Sequence, residues 1–320
     1  MNKRKLALLL SASILIAGII FPGSVTEAQS SGKLNLLSVG NARQTQKLLH
    51  YTGDRLPLVS AHRGGSLPGW PENCLATFEN TLSHTYAIME CDPRYTKDSL
   101  IVLHHDPGLG RTTNGQGNVS DYTLSELKKL RLKDRNGDVT DYQIPTLDEA
   151  LEWAKGKTIL VLDQKDVPVA ERVKKTVEHN AEANVIMIVY SFAEAKTCYG
   201  MNKNIMMEVM VPGIEEAIEF EKTGVPWRNV IAFVGHEVPQ KKEVYDFLHQ
   251  RGVMCMAGSS RNADRKYLTN NVKDFNELKG DYDVFLTAGI DIIETDVPRE
   301  LGKLLYKDKA VPSKKSKFFR

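Results

Sequence analysis

Cysteine is scarce in this chain of 320 residues: there are four, Cys74, Cys91, Cys198 and Cys255, and no two of them form a C-x-x-C pair. That excludes a disulfide-framework module and a thiol-based zinc or redox motif. Free buried thiols are the expected state, with Cys74 and Cys91 the pair best placed for a bridge in an exported protein, because both belong to the first strand-helix-strand unit. An excess of one charge sign is also missing. Lys and Arg total 42 against 40 Asp and Glu, a formal net charge of +2, so nucleic acid is not expected as a partner. Internal repeats and low-complexity tracts are absent, and 42% hydrophobic with 26% charged residues is the composition of a folded chain.

Only one long apolar run occurs, Leu6 to Ile20, preceded by Lys3-Arg4-Lys5 and followed by Phe21-Pro22-Gly23 and small residues near Ala28. It is short for a membrane span, and its order of basic head, apolar centre, breaker and small residue is that of a secretory signal ending near residue 28. An uncleaved anchor is the competing reading. On the first, residues 29–320 form the exported protein, periplasmic or extracellular, with no stable membrane span. Cleavage removes three basic residues and one acidic one, leaving 39 of each. The tail residues Lys314, Lys315, Lys317 and Arg320 read as a solvated, frayed terminus, with contact to an anionic surface as the alternative.

Apolar runs recur at Leu58 to Ala61, Tyr86 to Cys91, Thr158 to Leu162, Val185 to Val189, Ile205 to Val211, Val230 to Val234, Val253 to Ala257 and Ile290 to Thr295. Most are continuous rather than alternating, as parallel strands covered on both faces require. Helical patterns lie between them at Thr146 to Ala154, Ala170 to Glu182, Ile214 to Lys222 and Lys241 to Gln250, the first opened by a Thr146/Glu149 capping box. Eight strands alternating with helices predict an α/β fold, a (β/α)8 TIM barrel, with a doubly wound open sheet as second choice. The segment from about 106 to 143, between the second strand and its helix, is too long for an ordinary loop and reads as a small insertion or lid, with a short helix from Thr123.

Chemistry-bearing residues gather where such a barrel builds its sites, at the C-terminal ends of strands. His62-Arg63-Gly64-Gly65 follows the first strand, and its glycines allow another group to approach the backbone closely. Glu90-Cys91-Asp92 ends the second, where the two-residue period puts both carboxylates on one face. Asp163 ends the third, with Lys165 on the same face. Three carboxylates at one level repel each other unless a cation lies between them, and Ca²⁺ or Mg²⁺ takes such oxygens. With Arg63 and Lys165 nearby, the set fits a metal ion and an anionic group such as phosphate. A further histidine from Leu103-His104-His105-Asp106 would allow acid and base to act together. Glu208, inside Met206-Met207-Glu208-Val209-Met210, is either a mouth carboxylate or half of a buried ion pair. His179, His236 and His249 read as surface or loop residues.

These stretches, together with Pro71-Glu72-Asn73, Thr96-Lys97-Asp98, Arg111-Thr112-Thr113-Asn114-Gly115, Ile144-Pro145-Thr146-Leu147-Asp148-Glu149, Ser191-Phe192 and Thr295-Asp296-Val297-Pro298, resemble the glycerophosphodiester phosphodiesterase family. The resemblance is dense from Val59 to Lys165 and sparse beyond. It implies a TIM-barrel hydrolase with one divalent cation that splits small-molecule glycerophosphodiesters into glycerol 3-phosphate and an alcohol. It would make His62 and His105 the acid-base pair, Glu90, Asp92 and Asp163 the metal ligands, and Arg63 and Lys165 the phosphate contacts. Two departures stand out: Asp163 replaces the family's usual glutamate, and Val253 to Gly258 carries no tryptophan. A phosphatidylinositol-cleaving or phospholipase D-like lipid phosphodiesterase, and a non-catalytic binding protein on this scaffold, are the alternatives.

Overall fold

Strands rich in Val, Ile, Leu and Met on both faces need cover on both, and here the sheet obtains it by closing on itself. A computed structural model describes residues 33–54, 57–269, 271–306 and 314–320; the signal-like segment 1–28 lies outside the described residues. Its strands are β1 (Leu58–Ala61), β2 (Ile88–Cys91), β3 (Pro93–Tyr95), β4 (Ile101–Leu103), β5 (Leu160–Leu162), β6 (Val185–Val189), β7 (Met206–Met210), β8 (Val230–Gly235), β9 (Cys255–Gly258) and β10 (Ile292–Thr295). All except β3 and β4 pair in chain order, and β10 returns to β1 to close the barrel, with Leu58 opposite Ile292 and Ala61 opposite Thr295. The barrel is parallel throughout, so the open-sheet alternative is set aside.

Strand alternation divides the core in two. Leu58, Ile88, Val161, Ile186, Met206, Ile231 and Ile292 fill the barrel, while Val59, Met89, Leu162, Met187, Met207 and Ile293 pack outward under the helices. The same alternation sends Glu90, Glu208 and Glu294 inward, because their strand neighbours belong to the outer cluster.

The barrel floor is plugged by both ends of the described chain. Leu37 and Phe318 are buried in the inner cluster, and Leu36 and Arg320 exchange backbone hydrogen bonds of 2.9 and 3.1 Å. The tail is therefore docked, not frayed: Phe318 supplies an apolar anchor that outweighs the solvation of its lysine neighbours.

The Thr146/Glu149 capping box opens the helix Leu147–Ala154. The helix expected to run to Glu182 spans Val169–Glu178, since Asn180 takes a left-handed φ of 50° and Ala181 N–H bonds back to Thr176 O. Within it Arg172, fully buried, has no carboxylate partner among the described residues. Its guanidinium donates to the carbonyls of Leu162 (2.7 Å) and Ile188 (2.9 Å), tying the ends of β5 and β6 together.

The excursion after β2 starts earlier than the expected bound near residue 106. β3 and β4 form an antiparallel hairpin from Pro93 to Leu103 before the chain reaches Asp106; a three-residue apolar arm does not differ in pattern from a short barrel strand. Val102, Leu109, Val119, Leu127, Leu132 and Ile144 give this region a small core of its own. Cys74 is buried in that core and Cys91 in the main outer one, so the suggested bridge is absent and all four cysteines are free and buried.

Candidate active site

The turn after β1 is built by three consecutive left-handed residues, Arg63 (φ 52°), Gly64 (φ 82°) and Gly65 (φ 81°). A Cβ on Gly64 would meet the Phe78 ring at 2.2 Å, and one on Gly65 would meet Pro298 at 2.2 Å. The close approach that these glycines permit is thus the scaffold's own packing. The turn swings His62 and Arg63 over the mouth, where Arg63 N–H donates to Glu90 Oε2 at 2.7 Å.

Oxygens of Glu90, Asp92 and Asp163 lie within 4.8 Å of one another, and all three residues are buried. Asn73, itself left-handed (φ 53°), makes a reciprocal pair with Asp92: its Nδ2 donates to Oδ2 at 2.6 Å and its Oδ1 accepts from Asp92 N–H at 3.0 Å. Lys165 Nζ reaches Asp163 Oδ2 (2.5 Å) and Asp92 Oδ1 (3.1 Å), and Tyr190 OH donates to Asp163 Oδ1 (2.5 Å). Although burial opposes it, the charge and hydrogen bond of Lys165 hold the Asp163 carboxyl below its ordinary range. Burial and the charge of Asp92 push Glu90 well above its own. Buried carboxylates under such mutual repulsion, with oxygen donors only, suit a hard divalent cation.

The structure brings His62 to the same place. Its Nδ1 lies 2.7 Å from Asp296 Oδ1, after β10. Burial opposes a charge on the ring, yet the hydrogen bond to Asp296 and the charges of Glu90 and Glu294 raise His62 to about 10. Since an ionised carboxylate only accepts, Nδ1 carries the hydrogen and Nε2 is the nitrogen left for chemistry. His105 is held similarly, Nδ1 to Asp106 Oδ1 at 2.7 Å. Asp106 in turn accepts from Arg111 Nε (2.5 Å), and Arg111 clamps Glu72 through two bonds of 2.7 and 2.9 Å. Arg63 shares Glu72 at 3.3 Å and stands 3.9 Å from Asp92. His104 is different: its Nδ1 faces the Asp106 carbonyl (2.7 Å) and its Nε2 the Thr112 hydroxyl (2.8 Å), so both ring nitrogens are engaged and it braces the loop.

Several members were not singled out from sequence as site residues. Asp296, Glu72, Asn73 and Tyr190 reach the mouth through contacts across the fold. Glu294 had the same signal as Glu208, an acid inside an apolar run. Glu208 is a mouth carboxylate with 4% exposure, and its Oε2 has no hydrogen-bond partner among the described residues. Burial and the charges of Glu294 and Asp163 push it well above its ordinary value. The tryptophan-free strand ends in Gly258, where a Cβ would meet His236 Nδ1 at 2.3 Å; His236 thus fills the space over β9. His236 is a loop residue as expected, whereas His249 is not at the surface but ends the helix Lys242–His249. It stacks on Tyr51 at 3.6 Å and bonds Asp291 at 2.8 Å, beside Cys255, in a closed buried cluster away from the mouth.

Beside the acids opens a cleft of about 460 Å³, walled by the mouth and by residues 133–137 of the excursion, with His62, Arg63, Glu72, Arg111 and Asp296 on its lining. Among the described residues that line it there is no Val, Leu, Ile, Met, Phe, Tyr or Trp.

Comparison with known proteins gives the same picture. The sequence model of the Glycerophosphoryl diester phosphodiesterase family matches residues 62–278. A glycerophosphodiester phosphodiesterase of Caldanaerobacter subterraneus subsp. tengcongensis is 28% identical over 259 residues, 78% of this chain and 98% of that protein. The crystal structure of a glycerophosphoryl diester phosphodiesterase from Parabacteroides distasonis superposes with a TM-score of 0.85 at 44% identity, covering 90% of this chain and 99% of that one. An Oleispira antarctica phosphodiesterase, solved in complex with the product sn-glycerol-3-phosphate, shares the fold at 21% identity and a TM-score of 0.58, over 78% of this chain and 97% of that one.

Proposed function

The chain belongs to the glycerophosphoryl diester phosphodiesterase family, and from that footing we propose that it hydrolyses glycerophosphodiesters to glycerol 3-phosphate and an alcohol, using one divalent cation. The observation that carries this reading is the convergence of Glu90, Asp92 and Asp163 with Lys165, directly beside the His62–Asp296 pair. The three carboxylates would hold Ca²⁺ or Mg²⁺, which when bound supplies positive charge to the phosphoryl oxygens. Asp163, a methylene shorter than glutamate, keeps its carboxylate fixed through Tyr190, Lys165 and Gln164 N–H (2.6 Å), which supports its use as a ligand.

In this reading Arg63 and Lys165 hold the phosphate, with a guanidinium fork and an ammonium point charge respectively. His62 and His105 share the two proton transfers, one taking the proton of the attacking hydroxyl and the other protonating the leaving oxygen. Asp296 and Asp106 each fix an Nδ1, so that both imidazoles act through Nε2. Neutralising Glu90 would remove one of the charges that raise His62, while the hydrogen bond to Asp296 and the charge of Glu294 would remain. The polar cleft favours a small water-soluble diester over a diacyl lipid. We further propose that residues 1–28 direct export; among the described residues no helix is long and apolar enough to cross a membrane.

The test is release of glycerol 3-phosphate from glycerophosphocholine and glycerophosphoethanolamine by the purified protein. Activity should vanish with EDTA, return with Ca²⁺ or Mg²⁺, and be lost in His62→Ala. Release that persists in EDTA would overturn the metal assignment, and absence of release with either ion would overturn the reaction.

A further inference from the structure

At the floor of the barrel, opposite the mouth, lies a second concave site of about 370 Å³. Its walls are the helix Ala42–Leu48, the chain at His50 and Thr52, Arg228 just ahead of β8, and the docked tail. Six cations line it: Arg43, Lys47, Arg228, Lys314, Lys315 and Lys317. Among the described residues that line it there is no carboxylate. Lys314 stands 3.7 Å from Asp54; the other five have no carboxylate within ion-pair distance among the described residues. In a chain whose formal net charge is only +2, this concentration is a local feature.

Lys315 provides a second, independent observation. It is 2% exposed, and among the described residues its Nζ, which has three donors, finds one hydrogen-bond acceptor, His50 O at 2.9 Å. Lysine is rarely buried without a counter-charge. Burial pushes this one down to about 8, with Asp291 and Asp54 offsetting only part of the cost. The tail is held by Phe318 and by the Leu36–Arg320 pairing, so the lysines are positioned by the fold. Among the described residues Asp54 pairs with Lys314 alone, which leaves most of the positive charge of this groove unbalanced.

We propose that the floor groove is a second ligand site, which takes a small molecule bearing two or more phosphate charges. Two guanidiniums, Arg43 and Arg228, offer the planar forks that match phosphate oxygens, and the lysines supply charge around them. A concave site of this volume fits a compact polyphosphate or phosphomonoester group better than it fits a flat surface. The site is independent of the catalytic reading, because no residue of the mouth contributes to it.

Inorganic pyrophosphate is the probe, titrated calorimetrically into the whole protein with EDTA present. The mouth also attracts phosphate, so the background is Arg63→Gln/Lys165→Gln. In that background the floor site should still bind, and Arg43→Gln/Lys47→Gln/Arg228→Gln should weaken binding by about tenfold or more. The triple variant alters surface positions, keeps its thermal unfolding midpoint, and retains diester hydrolysis if the protein has it. No binding in the mouth-variant background, or unchanged binding after the triple substitution, overturns the proposal. Binding to phosphatidylglycerol vesicles without binding of free pyrophosphate overturns it in favour of membrane docking.

Discussion

Asp296 sets the state of His62 more directly than any neighbour, through one 2.7 Å hydrogen bond from a different end of the chain. Its carboxylate dictates which ring nitrogen carries the hydrogen and steadies the imidazolium when it forms. In the proposed reaction Asp296→Asn keeps the shape but not the charge. It should lower kcat by about 10²-fold or more with KM little changed, and shift the pH profile of kcat/KM. A loss confined to KM would mean that Asp296 serves binding rather than orientation. His104 tests the opposite environment. Burial lowers its pKa below the ordinary 6.5, so at mildly acid pH the unfolded chain binds more protons than the folded one. Its contribution to stability is intact above about pH 6.5 and declines as the pH falls below that value. Denaturant midpoints at pH 7.5 and 5.5 should therefore fall further in the wild type than in His104→Gln; equal falls would locate the acid sensitivity elsewhere.

Strands and excursion differ in how plainly they could be read. Each barrel strand is a short continuous apolar run, and strand alternation alone predicts that Glu90 and Asp92 share a face while Cys91 turns away. Register was not legible: nothing near Asp296 or Glu72 announces His62 or Arg111 as partner, because these contacts span 234 and 39 residues. The docked tail escaped for the same reason, since its lysines look solvated until Phe318 is seen beneath the barrel. The excursion brings its own chemistry to the cleft. Lys133 Nζ donates only to Gly110 O (3.0 Å), and Arg135 reaches the Asp296 carbonyl at 3.5 Å. Neither has a carboxylate within ion-pair distance among the described residues, and none of the described residues that line the cleft is an aromatic ring able to cage a choline group, the Tyr190 phenol standing at the acids instead. Lys133→Gln/Arg135→Gln should raise KM by about three- to tenfold for diesters whose alcohol half is anionic, with less effect on glycerophosphocholine and little on kcat. Equal effects on both substrates would assign these cations to the phosphate itself.

At the scale of the whole molecule, the mouth and the floor divide the work. Buried acids, an unpartnered Glu208 oxygen and a left-handed turn crowd the mouth, where like charges oppose folding. The floor carries apolar compensation: Leu37, Leu48, Leu49 and Phe318 pack with Leu58, Ile88 and Ile292, and Leu36 pairs with Arg320 across it. Stability and chemistry should therefore separate under mutation. Phe318→Ala deletes a nearly fully buried ring and should cost about 3–5 kcal/mol, because the tail backbone is pinned and cannot collapse into the cavity. Such a loss lowers the unfolding midpoint by roughly 6–15 °C. It should leave kcat/KM for diester hydrolysis unchanged at temperatures where the variant is folded, since no contact of Phe318 reaches His62 or the three carboxylates. A fall in both midpoint and kcat/KM at 20 °C would mean instead that the floor is coupled to the mouth through the barrel interior, with the inward stack from Leu58 and Ile292 to Ser60 and Glu294 as the connecting layer.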